Sequence, residues 1–166
     1  LAGYYAHIEA TDRAIGRLLE GVRHEDTIVV FTSVHGDMHG AHGLFRKGWP
    51  HEESVRVPLL VRHPAEKPHG DESVVSLLDL PAMTLAWADG RAWRCARRAA
   101  AISMPSVVRL PQQCDRVWHG LRSPVRKLVL NADGTPWLYF DLERDPLELR
   151  NLAADPAYAA EVTGMM

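Results

Sequence analysis

Residues Thr27 to Pro64, TIVVFTSVHGDMHGAHGLFRKGWPHEESVRVPLLVRHP, decide the fold. A β-branched run, Thr27 to Ser33, leads into a loop with several histidines and one lysine, and a second apolar run, Val57 to Val61, follows. Both runs are too short for helices and are typical of strands buried on both faces of a parallel sheet. The loop therefore leaves the carboxyl end of a strand, where open α/β sheets gather their ligands.

The sequence on either side of these strands predicts helices. From Tyr5 to Val22, apolar residues recur at the spacing of one helical face, with charged residues between them. The same period returns from Ser73 to Ala88, although Pro81 is expected to kink that helix or to end its first half. Helix, strand, loop, strand and helix together indicate an α/β fold.

The rest of the chain predicts a smaller unit. Turn residues from Asn131 to Gly134 separate the last two of three short apolar runs, which indicates a small antiparallel sheet. The three runs are Val117–Leu121, Lys127–Asn131 and Trp137–Leu142. Asp155 followed by Pro156 is typical of a helix start, so a C-terminal helix is expected.

These patterns predict three segments. Residues 1–90 form the α/β part, and residues 116–166 form the antiparallel subdomain with its C-terminal helix. Residues 91–115 are rich in arginine and alanine without a clear period, and we interpret them as a linker of uncertain structure.

Composition excludes several classes of partner. A net charge of −2 over 166 residues offers no polybasic surface for nucleic acid. No stretch approaches the roughly 20 apolar residues of a membrane span, so no membrane contact is expected. Cys95 and Cys114 do not form a disulfide framework, which favours a reducing compartment such as the cytoplasm.

The loop concentrates groups that suit an oxyanion or a metal ion. His35, Asp37, His39 and His42 bring nitrogen and carboxylate donors together, and Lys47 adds a cation. A metal ion beside an ammonium group would neutralise the charge that builds on the oxygens of a phosphate or sulfate ester during displacement.

Two other interpretations of the loop stay open. Histidines in glycine-rich loops often do no more than bond to the backbone. A zinc site formed by His35, His39 and His42 would place three ligands on one short loop that has no further groups to orient them, which counts against it.

Four segments resemble the sulfatases of the alkaline phosphatase superfamily. The first, TIVVFTSVHGDMHGAHGLFRK followed by EESVRVPLLV, is similar to a strand that ends S-D-H-G or S-D-N-G and continues through G-x-H-G to a lysine and R-V-P. The others are ATDRAIGRLLE, SLLDLPAMTLAWADG and LYFDLERDPLELRNLAADP, in the family's order. The resemblance implies part of an alkaline-phosphatase-like, mostly parallel sheet with flanking helices, followed by a small antiparallel sheet and a C-terminal helix.

The resemblance also implies roles for single residues. Lys47 would contact the ester oxyanion, and His42 would line the same loop as a second catalytic candidate. His35 would occupy a ligand position for Ca²⁺ or Mn²⁺. The substrate would be a small-molecule sulfate ester, cleaved by a formylglycine nucleophile. The terminal segment, with Asp145 and Asn151, would pack the small sheet against the main one.

The chain departs from the family at the strand end. The family's metal-binding aspartate is Val34 here, and a valine side chain has no lone pair for a cation. Asp37 is the candidate substitute ligand. Residues 91–115 also lack the family's G-x-S-L segment, and a frameshift that is later corrected would explain their composition.

The family's nucleophile motif, C/S-x-P-x-R, and its paired aspartates do not occur in this sequence. We therefore expect the remainder of the sulfatase domain to precede Leu1, and the isolated chain to be inactive. Two alternatives stay open: a phosphodiesterase or phosphonate monoester hydrolase of the same superfamily, and a degenerate relative or gene remnant that binds an anion at most.

Overall fold

The computed structural model describes residues 2–107, 110 and 113–166. Within them the α/β class is confirmed. The helices are α1 (Ala2–Glu20), α2 (Glu52–Val55), α3 (Leu80–Ala88) and α4 (Ala159–Met165). The strands are β1 (Val29–Thr32), β2 (Leu59–Arg62), β3 (Ala100–Met104), β4 (Trp118–Arg122), β5 (Arg126–Asn131) and β6 (Pro136–Asp141). None of the described helices combines the length and the apolar character needed to cross a membrane.

The chain divides into two compact units, and the first consists of residues 2–32 and 59–70. It contains helix α1, whose apolar period is confirmed as helical, and strands β1 and β2. These strands run antiparallel, with Val29 opposite Arg62 and Thr32 opposite Leu59. The prediction that these two strands belong to a parallel arrangement is wrong for this pair. An uninterrupted apolar run indicates that a strand is buried, but it does not indicate the direction of the strand.

The first unit exposes many apolar side chains. Helix α1 has no buried residue, and Phe31 of β1 and Leu60 of β2 are 43% and 64% exposed. The burial on both strand faces that the sequence predicts is therefore not met within the described residues. Exposed apolar surface of this kind is typical of a contact with further polypeptide.

The second unit, residues 33–58 and 71–166, is organised by a four-stranded antiparallel sheet in the order β3-β4-β5-β6. One face carries Trp118, Val129 and Phe140, and Trp49 and Val55 of the histidine loop and α2 pack against it. The opposite face is covered by residues of the C-terminal segment. Its core residues are Leu128, Tyr139, Leu152 and Val162. The sheet is thus a platform whose first face supports the loop.

Helix α3 is shorter than its apolar period predicts. Residues 77–79 form a 3₁₀ turn, and α3 begins at Leu80 with Pro81 in its first turn. The side chain of Ser76 accepts the Leu78 N–H while Asp79 accepts the Ser76 N–H, which closes the helix start. Proline is tolerated at that position because the first helical N–H groups have no partner within the helix.

The segment 91–115 contains the edge strand β3, which the sequence did not indicate. Residues 108, 109, 111 and 112 of the segment lie outside the described residues. The turn from Asn131 to Gly134 is confirmed by a 3.0 Å bond from the Gly134 N–H to the Asn131 carbonyl. Asp155 accepts the Ala157 N–H as the sequence predicts, and it caps a 3₁₀ turn, residues 156–158, that leads into α4.

We expect Gly120→Ala to lower the free energy of unfolding by about 1–3 kcal/mol, as overpacked cores do. A Cβ atom at this position of β4 would lie 2.1 Å from the Leu128 carbonyl oxygen, so one of the two strands must move. Urea denaturation followed by circular dichroism measures the change. Gly164→Ala is the control, because no atom lies within 4 Å of a Cβ there. Equal midpoints for the two variants would contradict the prediction.

Candidate active site on the histidine loop

The histidine loop, residues 33–51, is closed by backbone contacts within the second unit. The Gly36 N–H donates to the Ser54 carbonyl at 2.9 Å, and the Met38 N–H donates to the Arg46 carbonyl at 2.8 Å. A Cβ atom at position 36 would lie 1.9 Å from the Glu53 carbonyl oxygen, so only glycine fits. Met38 is 1% exposed and forms the centre of the loop. The functional side chains therefore project from a folded segment.

Three residues of the loop adopt the left-handed backbone region although they are not glycine. These are His39, His42 and Arg46, with φ angles of 48°, 54° and 63°. Such conformations cost energy and concentrate at functional sites, where the surrounding structure holds them in place. The loop therefore stores backbone strain at two of its histidines.

His35 has one ring nitrogen engaged by the backbone and the other left for a ligand. Its Nδ1 lies 2.8 Å from the Gly36 carbonyl oxygen, which can only accept, so Nδ1 carries the proton. The lone pair of Nε2 is then left for a ligand, the usual arrangement of metal-binding histidines. The side chain is exposed.

The neighbours of His35 do not complete a cation site. Val34 is 86% exposed, so its side chain contributes little packing and no ligand atom. Asp37 accepts the His39 N–H at 3.0 Å through Oδ1, and the same oxygen lies 3.6 Å from His39 Nδ1. Asp37 is thus engaged with His39, and its use as a substitute ligand stays a prediction.

Lys47 is exposed near the end of the loop. Among the residues that the structure describes, its ammonium group has no salt-bridge or hydrogen-bond partner. An exposed, unpaired ammonium group is free to bind an external anion. This arrangement suits the role that the sequence predicts for Lys47.

The ring of His42 packs on a second histidine. Its ring stacks on His51 with the centroids 4.0 Å apart and the planes 16° apart. Its Nε2 lies 4.0 Å from Glu53 Oε2, and the side chain is 16% exposed. No described contact joins His42 to His35 or Lys47, so the loop presents its candidates at separate points.

Behind the histidine stack lies a buried charge cluster, formed by Glu52, Lys127 and Glu148 with Arg122 at its edge. Lys127 is fully buried, and its Nζ lies 2.7 Å from Glu52 Oε1 and 2.5 Å from Glu148 Oε1. Arg122 donates to both carboxylate oxygens of Glu52 at 3.3 and 3.0 Å. Two acids are thus matched by two cations, as burial of charge requires.

Both acids of the cluster stay ionised. Burial alone would raise the pKa of Glu52, but the Arg122 hydrogen bonds and the Lys127 charge lower it below the usual value. Burial also opposes the ionised form of Glu148, and there the His51 imidazole, the Lys127 ammonium and the Glu52 N–H lower the pKa. The cluster is therefore a fixed set of full charges.

His42, His51 and Glu148 offer ligand atoms within 4.8 Å of one another. Their geometry nevertheless does not favour a metal ion. Imidazole lone pairs lie in the ring plane, and two nearly parallel rings 4.0 Å apart cannot direct them at one point. Lys127 also already neutralises the Glu148 carboxylate. We interpret the group as a support for the loop.

Sequence reasoning favoured a structural role for His51, as for the other loop histidines, and it missed Lys127 and Glu148. Lys127 lies in a run, RKLVLN, where a lysine suggests an exposed strand face. Glu148 lies within the terminal segment, for which the sequence predicts only a role in packing the small sheet. Its bond to the Glu52 N–H joins residues 96 positions apart. The signal that was present is the glutamate in D-P-L-E, a charged residue inside an otherwise recognisable motif.

Comparison with known proteins adds a family match. The family model described as Sulfatase matches residues 1–90. An arylsulfatase of Clostridium perfringens is 32% identical over 97% of this chain, which covers 37% of that protein. A choline-sulfatase of Rhizobium meliloti is 32% identical over 92% of this chain and is covered over 33% of its length.

A solved structure shows the same fold. The phosphonate monoester hydrolase of Agrobacterium radiobacter aligns with a TM-score of 0.78 and 27% identity, over 97% of this chain and 38% of its own. The chain therefore spans less than two fifths of the length of each of these three proteins.

Proposed function

The chain belongs to the sulfatase family, and on that premise we propose that it supplies the C-terminal part of a hydrolase that cleaves sulfate esters of small molecules. The nucleophile, a formylglycine, comes from a segment that precedes this one. A divalent cation, Ca²⁺ or Mn²⁺, assists the reaction. The net charge of −2 fits a small-molecule substrate better than a nucleic acid.

The observation that carries the proposal is the pair of free ligand groups on the histidine loop. Lys47 offers an unpaired ammonium group, and His35 offers Nε2 because Nδ1 is held by the Gly36 carbonyl. Lys47 binds the sulfate oxygens and stabilises the negative charge that grows on them in the transition state. His42 is the second catalytic candidate of the same loop.

The residues present fit a divalent cation only in part. His35 Nε2 supplies one nitrogen ligand, and Val34 supplies none. The other ligands would come from the preceding segment, with Asp37 as the candidate within this chain. When bound, the cation withdraws charge from the ester oxygens and from the nucleophile.

Two findings support a preceding segment. The relatives are about three times as long as the part that this chain matches. The first unit also exposes apolar residues of α1, β1 and β2, which a continued domain would cover. We therefore propose that the remainder of the sulfatase domain packs on this unit.

Turnover of two esters tests the proposal. The longest protein encoded in frame with this chain is purified and assayed with an aryl sulfate and with an aryl phosphonate monoester. Faster turnover of the sulfate supports the proposal. Faster turnover of the phosphonate supports the second candidate, a phosphonate monoester hydrolase, which the structural match to such an enzyme favours. No turnover of either ester supports a degenerate relative that binds an anion at most.

Val34 is the observation in favour of that last alternative, and it can be tested directly. We expect Val34→Asp to raise kcat/KM for an aryl sulfate on the order of a hundredfold, because it restores a lost metal ligand. Calorimetry should show tighter binding of Ca²⁺ or Mn²⁺. Val34→Ala is the control, since it removes the same exposed side chain without adding a ligand. A variant that binds the cation no more tightly than Val34→Ala would sink the prediction.

A further inference from the structure

We propose that Glu148 is a positioning residue for the candidate active site. It acts through His51 on His42, and through Lys127 on the chain that follows Lys47. The proposal rests on the proposed function in one respect, because the catalytic roles of His42 and Lys47 belong to that function.

The carboxylate of Glu148 contacts three groups at once. Its Oε2 accepts the Glu52 N–H at 2.8 Å and lies 3.4 Å from His51 Nδ1. Its Oε1 lies 2.5 Å from Lys127 Nζ. The side chain is 1% exposed, so these interactions act with little screening by water. One acid of the C-terminal segment thus connects the loop, α2 and β5.

The contact between Glu148 and His51 fixes the orientation of the His42 ring. Nδ1 of His51 is buried and has no full hydrogen-bond partner, so the nearby Glu148 oxygen is the group that attracts it. Phe140 flanks the same ring at 5.8 Å between centroids. Rotation of His51 would remove the surface on which His42 stacks. The orientation of His42 therefore depends on Glu148 through His51, and the ligand atoms of all three residues lie within 4.8 Å of one another.

The contact between Glu148 and Lys127 fixes the position of the residues that follow Lys47. Lys127 Nζ donates to the Pro50 carbonyl at 3.0 Å, and Trp118 Nε1 donates to the Gly48 carbonyl at 2.8 Å. Strands β4 and β5 thereby hold the residues next to Lys47. Burial of the Lys127 charge requires a nearby anion, and Glu148 provides one of the two.

The backbone conformation of Glu148 indicates that its side chain has a specific role. Its φ angle is 56°, in the left-handed region that favours glycine or asparagine. The other described non-glycine residues in this region, His39, His42 and Arg46, all lie on the histidine loop. A glutamate is expected in such a position where its carboxylate makes contacts that glycine cannot make.

Imidazole resonances of His42 and His51 in the 166-residue chain give a test that does not depend on catalysis. Glu148→Gln keeps the size of the side chain and removes its charge. Glu143→Gln is the matched control, an acid of the same segment that is 64% exposed. We expect Glu148→Gln to shift both resonances at fixed pH, and the control to shift neither. A His42 resonance that moves no more than in the control overturns the proposal.

Kinetics of the enzyme that contains this chain test the link to catalysis. Glu148→Gln should lower kcat for an aryl sulfate about tenfold, with KM within twofold, because displaced catalytic groups lose transition-state contacts first. The control should keep both constants. Shifted resonances with unchanged kcat overturn the positioning role. If the unsubstituted enzyme hydrolyses no ester, the proposed function fails and the resonances alone decide the structural part.

Glu148→Asp covers the case in which Glu148→Gln does not fold. It keeps the negative charge beside Lys127 but withdraws the carboxylate from His51 by one methylene. We expect a shift of the His42 resonance with a retained fold. An unshifted His42 resonance in this variant counts against the proposal in the same way.

Discussion

Replacing Lys127 with methionine should lower the free energy of unfolding by about 3–5 kcal/mol, the cost of breaking a buried ion pair from one side. Methionine fills a similar volume, so the loss is electrostatic. It leaves the Glu148 carboxylate, 1% exposed, without its nearest cation, and it removes the donor to the Pro50 carbonyl. Urea denaturation of the 166-residue chain measures the change.

Two further variants separate charge from packing in this experiment. Lys67→Met, at an exposed position, should change stability by less than about 0.5 kcal/mol. The double variant Lys127→Met with Glu148→Gln should recover part of the loss, because it no longer buries the unpaired carboxylate. A single variant within about 1 kcal/mol of the parent would show that the cluster does not stabilise the fold.

Replacing Lys47 with alanine should lower kcat for an aryl sulfate by about 10²–10³-fold, the usual cost of removing one group that stabilises a developing oxyanion. The same change should leave the free energy of unfolding within about 0.5 kcal/mol, because the side chain is exposed and unpaired. Catalysis and stability are thus expected to separate at this residue.

The measurement is made on the longest in-frame protein and repeated in the Val34→Asp background. The second background keeps the test decisive if the parent turns over slowly. Lys47→Arg is the conservative variant and should retain part of the rate, because it keeps the charge with a different shape. Lys67→Ala controls for loss of a surface cation. Turnover by Lys47→Ala equal to that of its parent would remove Lys47 from the proposed mechanism.

Local sequence signals predicted much of the fold. The apolar period of α1, the turn from Asn131 to Gly134 and the Asp155–Pro156 helix start depend on neighbouring residues, and all three are confirmed. The edge strand β3 was missed because its sequence, AAISM, follows an arginine- and alanine-rich stretch with no strand period. The direction of β1 and β2 was wrong because direction depends on the chain path between strands.

The candidate site also has a part that the sequence predicts and a part that it does not. The histidine loop could be located from the strand that precedes it, and the family resemblance made His35 and Lys47 candidates within it. The support behind the loop could not be predicted. Lys127 and Glu148, which support His51 at the end of the loop, come from distant parts of the chain. A lysine within a strand sequence is expected to be exposed unless its buried partners are known.

The left-handed residues set a limit on how this chain can be engineered. His39, His42, Arg46 and Glu148 each occupy a backbone conformation that glycine or asparagine adopts more cheaply. A library selected only for yield or heat resistance would enrich those two residues at all four positions. It would return better-folding clones that have lost the imidazole, guanidinium and carboxylate groups at these positions, so the four residues should be held constant in any such library.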